Sequence, residues 1–213
     1  MVEVKRRRVA TTLVVLALLI ASNLMTNLLL TGWESVPWNM AIAALVVVLA
    51  RRVVSLEEMG FDHWRDGATW GGVLFACTAV LLSIAILFPV FDEVFRDRNV
   101  GGSTVTWFLT AFVRIPLGTA LLEEVAFRGA LPALYARRWG VVSGSIIASL
   151  WFGVWHLLPA LDLSNANPAA GRWLGQGALG TSLGVAGTLL GAAVVALATV
   201  LLTGVRTALQ IGR

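Results

Sequence analysis

Apolar residues in this chain come in long unbroken runs. They show neither the strict alternation of a half-buried strand nor the one-sided stripe of a soluble helix. The runs cover residues 9–31, 36–50, 70–90, 104–127, 141–159 and 174–204. A helix crossing a hydrocarbon layer needs ~20 apolar residues, and a closed barrel would need alternation within short segments. The pattern therefore predicts an all-α integral membrane protein, a bundle of about six transmembrane helices. The whole of 1–213 reads as a single membrane domain, with no repeat of fixed period. The second run is short for a crossing and is expected to tilt, borrow from its flanks or re-enter. The fourth continues as helix to about residue 138 and turns at Trp139-Gly140. The fifth then returns beside it as an antiparallel hairpin.

Composition agrees. The 213 residues are 58% hydrophobic and 13% charged, with a mean hydropathy of +0.83, whereas soluble chains are about a quarter charged. Cys77 is the single cysteine, which excludes a disulfide scaffold. The net charge of +4 is spread over short loops, so no basic face for nucleic acid forms. Lys5, Arg6, Arg7 and Arg8 place the N-terminus on the cytoplasmic side. Arg51, Arg52 and Arg65, then Arg137 and Arg138, then Arg206 and Arg213 follow on that side if six segments cross. The expected outer loops are 32–35, 91–103 and 160–173, and the acids Asp92, Glu93 and Asp97 balance Arg96 and Arg98 in the second of these. Residues 51–69 are expected to form a short interfacial helix, with Ser55 and Glu58 as a capping box. Gly180/Gly184 and Gly187/Gly191 in the last run are spaced for close helix packing.

Ionisable groups at membrane depth are costly and mark function by default. Glu123, Glu124, Arg128 and His156 are the candidates. Arg114 in the same helix reads as a packing or interface cation and is assigned no role. Glu124 and Arg128 are four apart and can pair on one face, expected as a buried ion pair that fixes the helix. Glu123 projects about 100° away from Glu124 and has no helical partner, which suits a general base with a raised pKa. Glu123 precedes the hairpin turn by as many residues as His156 follows it, so both fall at one depth. Phe152 lies one turn before His156 and walls that face of the imidazole. His63, beside Trp64, reads as incidental. Gly180-Thr181-Ser182-Leu183-Gly184 matches G-x-S-x-G, but it lacks the strand-to-helix turn and the following histidine that such an elbow needs. No H-E-x-x-H occurs, and with just two histidines a three-ligand zinc site has poor prospects.

Glu123-Glu124-Val125-Ala126-Phe127-Arg128 resembles the EExxxR motif of the CAAX protease and bacteriocin-processing (CPBP or Abi) family, and Phe152-Gly153-Val154-Trp155-His156 resembles its FxxxH motif. The resemblance covers about 104–205 as a catalytic-type region. It implies an intramembrane glutamate-type endopeptidase acting on a membrane-associated, hydrophobic or lipidated peptide, with the lipid bilayer as its other partner. Glu123 would activate water, His156 would hold and polarise it, and Glu124, Arg128 and Phe152 would support them. No metal, other cofactor or nucleic acid is implied. The expected location is a bacterial plasma membrane with both termini cytoplasmic. The family's third motif, a histidine with Asn or Asp four residues on, has no counterpart after His156. That departure implies weak or absent catalysis, in a short form or a truncated chain, with no obvious oxyanion donor among the remaining residues. The alternatives are a non-catalytic scaffold or immunity-type binder, and a small transporter using Glu123 and His156 as a proton relay. The oligomeric state is not legible in the sequence.

Overall fold

The computed structural model describes residues 2–30, 32–63, 103–175 and 179–191, with scattered positions between 65 and 89 and at 194. Residues 91–102, where a loop is expected, about half of the run 70–90 and everything after 194 lie outside the described residues, and with them Arg96, Arg98, Arg206 and Arg213. Among the described residues all regular structure is helical. Helix α1 spans Val2–Leu28 and α2 spans Ser35–Ala50. The basic N-terminal residues are thus part of α1 and not a leader to it. Helix α3 occupies 104–139, α4 occupies 141–155, α5 is Leu157–Ala166, α6 is Pro168–Leu174 and α7 is Leu179–Gly191.

The hairpin forms where the sequence places it. Gly140 has φ +80 and ψ 165, so α3 and α4 part there. A side chain at that φ would be strained. Gly144 then lets the arms close, because a Cβ there would meet Ala136 N at 2.7 Å and Pro132 O at 2.8 Å.

Helix α3 is irregular. It carries π-helical segments at Thr110–Arg114, Pro116–Ala120 and Glu124–Ala130. Two of them immediately precede an interior Pro116 or Pro132, and a proline ring crowds the carbonyl four residues back. Widening the preceding turn relieves that clash and passes the hydrogen bond on by one residue: Ile115 N–H donates to Thr110 O and Leu131 N–H to Ala126 O. Wide turns of this kind are frequent at functional sites.

Three expectations need correction. The expected run 141–159 breaks at His156, which has φ −87 and ψ 0. The cause is Pro159, which offers no N–H to the carbonyl of Trp155 and crowds it. Residues 160–173 are not a loop, since α5 and α6 fill them, and Asn167 caps α6 by accepting from the Ala169 and Ala170 N–H groups. In 51–69 the capping box forms, with Ser55 N–H to Glu58 Oε2 at 2.7 Å and Glu58 N–H to Ser55 Oγ at 3.1 Å. The helix it should start lasts one turn. Gly60, at φ +79, closes it with Gly60 N–H to Glu57 O and Phe61 N–H to Leu56 O, the paired bonds of a Schellman stop. A short 3-10 turn, Phe61–His63, follows.

Arg6–Leu28 of α1 is long and apolar enough to cross a membrane, and Ser35–Ala50 and Leu179–Gly191 are shorter apolar helices. Among the described residues no other helix passes that length test. The core lies where α1, α2, α3 and α4 meet, around Val15, Val46, Leu122, Leu131, Leu134 and Ala148, all nearly or fully buried. Helix α7 returns onto α5, where Thr181 Oγ1 donates to Leu161 O at 3.2 Å.

Candidate active site

The break at His156 creates an orphan acceptor, the Trp155 carbonyl. Asn23 of α1 satisfies it through Nδ2 at 2.9 Å, and Asn23 is itself buried. A second buried amide does similar work on α3. Asn39 of α2 donates to Gly118 O and accepts from Ser22 Oγ at 3.0 Å, while Trp38 Nε1 donates to Ser22 Oγ at 3.0 Å. These bonds fix the walls of the site.

With the walls fixed, the end of α4 faces the middle of α3. Trp155 Nε1 donates to Glu123 Oε1 at 2.9 Å, and His156 Nε2 lies 3.7 Å from the same oxygen. His156 Nδ1 is 2.9 Å from Phe152 O. A carbonyl only accepts, so Nδ1 carries the proton, and in the neutral imidazole Nε2 then presents its lone pair toward Glu123. A separation of 3.7 Å is too long for a direct hydrogen bond. The two acceptors instead frame a position from which one water can donate to both.

The side chain of Glu123 is 15% exposed and that of His156 35%. They line a cavity of ≈ 410 Å³ together with Asn27, Asn39, Arg114 and Thr119. The sequence shows no obvious oxyanion donor, yet the fold brings Asn27, Arg114 and Thr119 to the cavity wall. Asn27 uses one amide N–H on Asn23 O at 2.8 Å, and a primary amide has two. Among the described residues no group of three or more His, Cys, Asp or Glu gathers that could hold a metal ion.

Glu124 and Arg128 form their i,i+4 ion pair, but not a buried one: the Arg128 side chain is 58% exposed and that of Glu124 55%. The pair sits on the outer surface of α3, and its contribution comes through an aromatic chain. Arg128 lies over the Phe152 ring at 5.7 Å, and Phe152 meets His156 edge-to-face at 4.4 Å. Phe127 packs against both Phe152 and Trp155, at 5.4 Å and 5.5 Å.

Residues 105–206 match the family model described as Type II CAAX prenyl endopeptidase Rce1-like. Over this stretch the chain is similar to that family. The family is membrane-embedded. No curated protein and no solved structure matches the chain. Glu123, Glu124, Arg128, Phe152 and His156 all fall within the Rce1-like stretch. Asn23, Asn27, Asn39 and Ser22 precede it and come from α1 and α2. Trp155, the direct partner of Glu123, lies inside the FxxxH-like segment. Its sequence signal is position: Trp151 and Trp155 lie within an apolar run, whereas most other tryptophans flank one.

Proposed function

We propose that this Rce1-like chain is an intramembrane endopeptidase with Glu123 as general base and His156 as the group that orients water. The observation that carries this is the convergence of Glu123 Oε1 and His156 Nε2, 3.7 Å apart, on the wall of a ≈ 410 Å³ cavity. Water held between them gives a proton to Glu123 as its oxygen attacks the scissile carbonyl carbon. The carbonyl oxygen becomes an oxyanion facing Asn27, Arg114 or Thr119. When the C–N bond breaks, Glu123 returns the proton to the leaving amine, so base and acid are one residue. Trp155 holds the carboxylate at the angle this needs, and Phe152 holds the imidazole. The substrate is a hydrophobic or lipidated peptide reaching the cavity from the bilayer. About six segments cross the membrane in this reading, and both termini face the cytoplasm.

The test is cleavage of a prenylated peptide by the purified full chain in lipid nanodiscs, against Glu123→Gln and His156→Ala. Turnover should be lost in both variants, while each still inserts and melts close to the parent. Turnover that survives Glu123→Gln would overturn the assignment.

A further inference from the structure

The hairpin tip carries a second concentration of polar groups, with no role in the chemistry above. Arg7 and Arg8 of α1, Arg52 just after α2, and Arg137 near the end of α3 line a cleft of ≈ 290 Å³ with Glu3. Two of these cations are fixed by the fold. Arg137 grips Glu58 with Nε and Nη2, both at 2.6 Å, and Arg8 Nη1 donates to the Arg137 carbonyl at 2.9 Å. Arg7 and Arg52 stay exposed at the rim. Four guanidiniums against Glu3 and Glu58 leave the cleft with a net positive charge. The Nε of Arg8 is buried and has no hydrogen-bond partner among the described residues, and a buried donor is rarely left so.

The surroundings match the edge of a bilayer. Val4 on the cleft wall, and Val9, Leu13 and Trp139 around an adjoining hollow that Arg8 also lines, are exposed apolar residues. Arg138 stacks over the Trp139 ring at 4.7 Å. Amphipathic aromatic rings and long basic side chains concentrate at the depth of lipid headgroups. The guanidinium fork matches the oxygens of a phosphate.

We propose that this cleft binds the phosphate of an anionic phospholipid, held by Arg7 and Arg52 with Arg8 behind them. The inference rests on the membrane-embedded character of the chain and is independent of the Glu123 chemistry. A bound phosphate ties the start of α1, the segment after α2 and the hairpin tip to one leaflet. A merely diffuse positive surface would depend on how many arginines are present; a built cleft depends on which.

The experiment titrates short-chain phosphatidylglycerol into the purified full chain in neutral detergent and follows the thermal unfolding midpoint. Arg7→Gln with Arg52→Gln is compared with Arg6→Gln plus Arg51→Gln, which removes the same charge from the same two segments but outside the cleft. Each basic contact to an anionic headgroup is worth about five-fold in affinity, so the cleft pair should bind roughly twenty-five-fold more weakly and the neighbouring pair only slightly so. All four side chains are exposed, so folding should survive. Arg52→Lys gives a second reading, since it keeps the charge but loses the fork and should still weaken binding. Equal weakening by both pairs, or none by either, overturns the proposal. A saturable shift with inorganic phosphate alone would also overturn it, by assigning the cleft to a soluble anion.

Discussion

The indole of Trp155 offers the sharpest test of the site, because its N–H touches the base and nothing else. Trp155→Phe removes the donor 2.9 Å from Glu123 Oε1 but keeps a ring facing Phe127. The backbone carbonyl of residue 155 keeps its bond from Asn23. Glu123 is 15% exposed, so bulk water replaces the lost donor poorly. A hydrogen bond to a charged acceptor is worth roughly 1.5–3 kcal/mol. If that support is needed in the transition state, kcat should fall roughly ten- to a hundred-fold. KM should hold, since the indole N–H faces the carboxylate and not the peptide. Single-turnover cleavage of a lipidated peptide in nanodiscs separates the two constants. The smaller ring also loses packing, so the cycle is closed in a Glu123→Gln background, scored by thermal unfolding. There the N–H meets a neutral amide and the same change should cost less stability. Unchanged kcat in Trp155→Phe, with an equal stability loss in both backgrounds, would refute the claim that this bond sets the carboxylate.

Gly144→Ala places a methyl 2.7 Å from Ala136 N and 2.8 Å from Pro132 O. These are backbone atoms that cannot swing aside, so overpacking of about 1–3 kcal/mol should exceed any helix-propensity gain and lower the unfolding midpoint. Asn39→Leu strands Ser22 Oγ and Gly118 O in a buried site. It should cost about 1–3 kcal/mol for the groups left unsatisfied, read in the same melts. Arg137 holds the Glu58 carboxyl down from 4.5 to about 2. A depressed carboxylate stabilises the fold above its unfolded pKa and loses that contribution as pH falls through the folded one. The pair's contribution should therefore fade between about pH 4.5 and 2 and be absent in Glu58→Gln. Both side chains are more than a third exposed, so the difference between the two melting profiles should be small.

Several features of the site can be read in the sequence because they rest on local spacing. Glu124 and Arg128 meet because they are four apart on a helix. The turn at Gly140 and the equal arms on either side set Glu123 and His156 at one level. Where the reading departs from the structure, the deciding force is identifiable. Pro159 ends α4 at His156 through an absent N–H, so an apolar run that looks continuous is two helices. Gly60 stops the segment after Ser55 within one turn, although its capping box forms. The exposure of the Glu124–Arg128 pair depends on which face of α3 meets the bundle, and the π-helical turns shift that face in a way that hydrophobic spacing does not encode. Ser22, Asn23 and Asn39 carry no charge, so a search for ionisable groups at depth does not reach them.

Those uncharged residues change how the site is to be understood. The Rce1-like match begins at residue 105, and the residues with acid–base capacity lie inside it. Yet the Trp155 carbonyl, freed by Pro159, is bound by Asn23 of α1, and the Gly118 carbonyl on the widened part of α3 is bound by Asn39 of α2. Each is a backbone acceptor that local helix irregularity has released. Left unsatisfied in an apolar setting, either would cost free energy comparable to a lost hydrogen bond. The irregularities are also what make room: a regular α3 and an unbroken α4 would pack along their length and close the space beside Glu123. The first two helices therefore allow the matched region to stay irregular. The cavity follows from the irregularity, and the water position between Glu123 and His156 follows from the cavity.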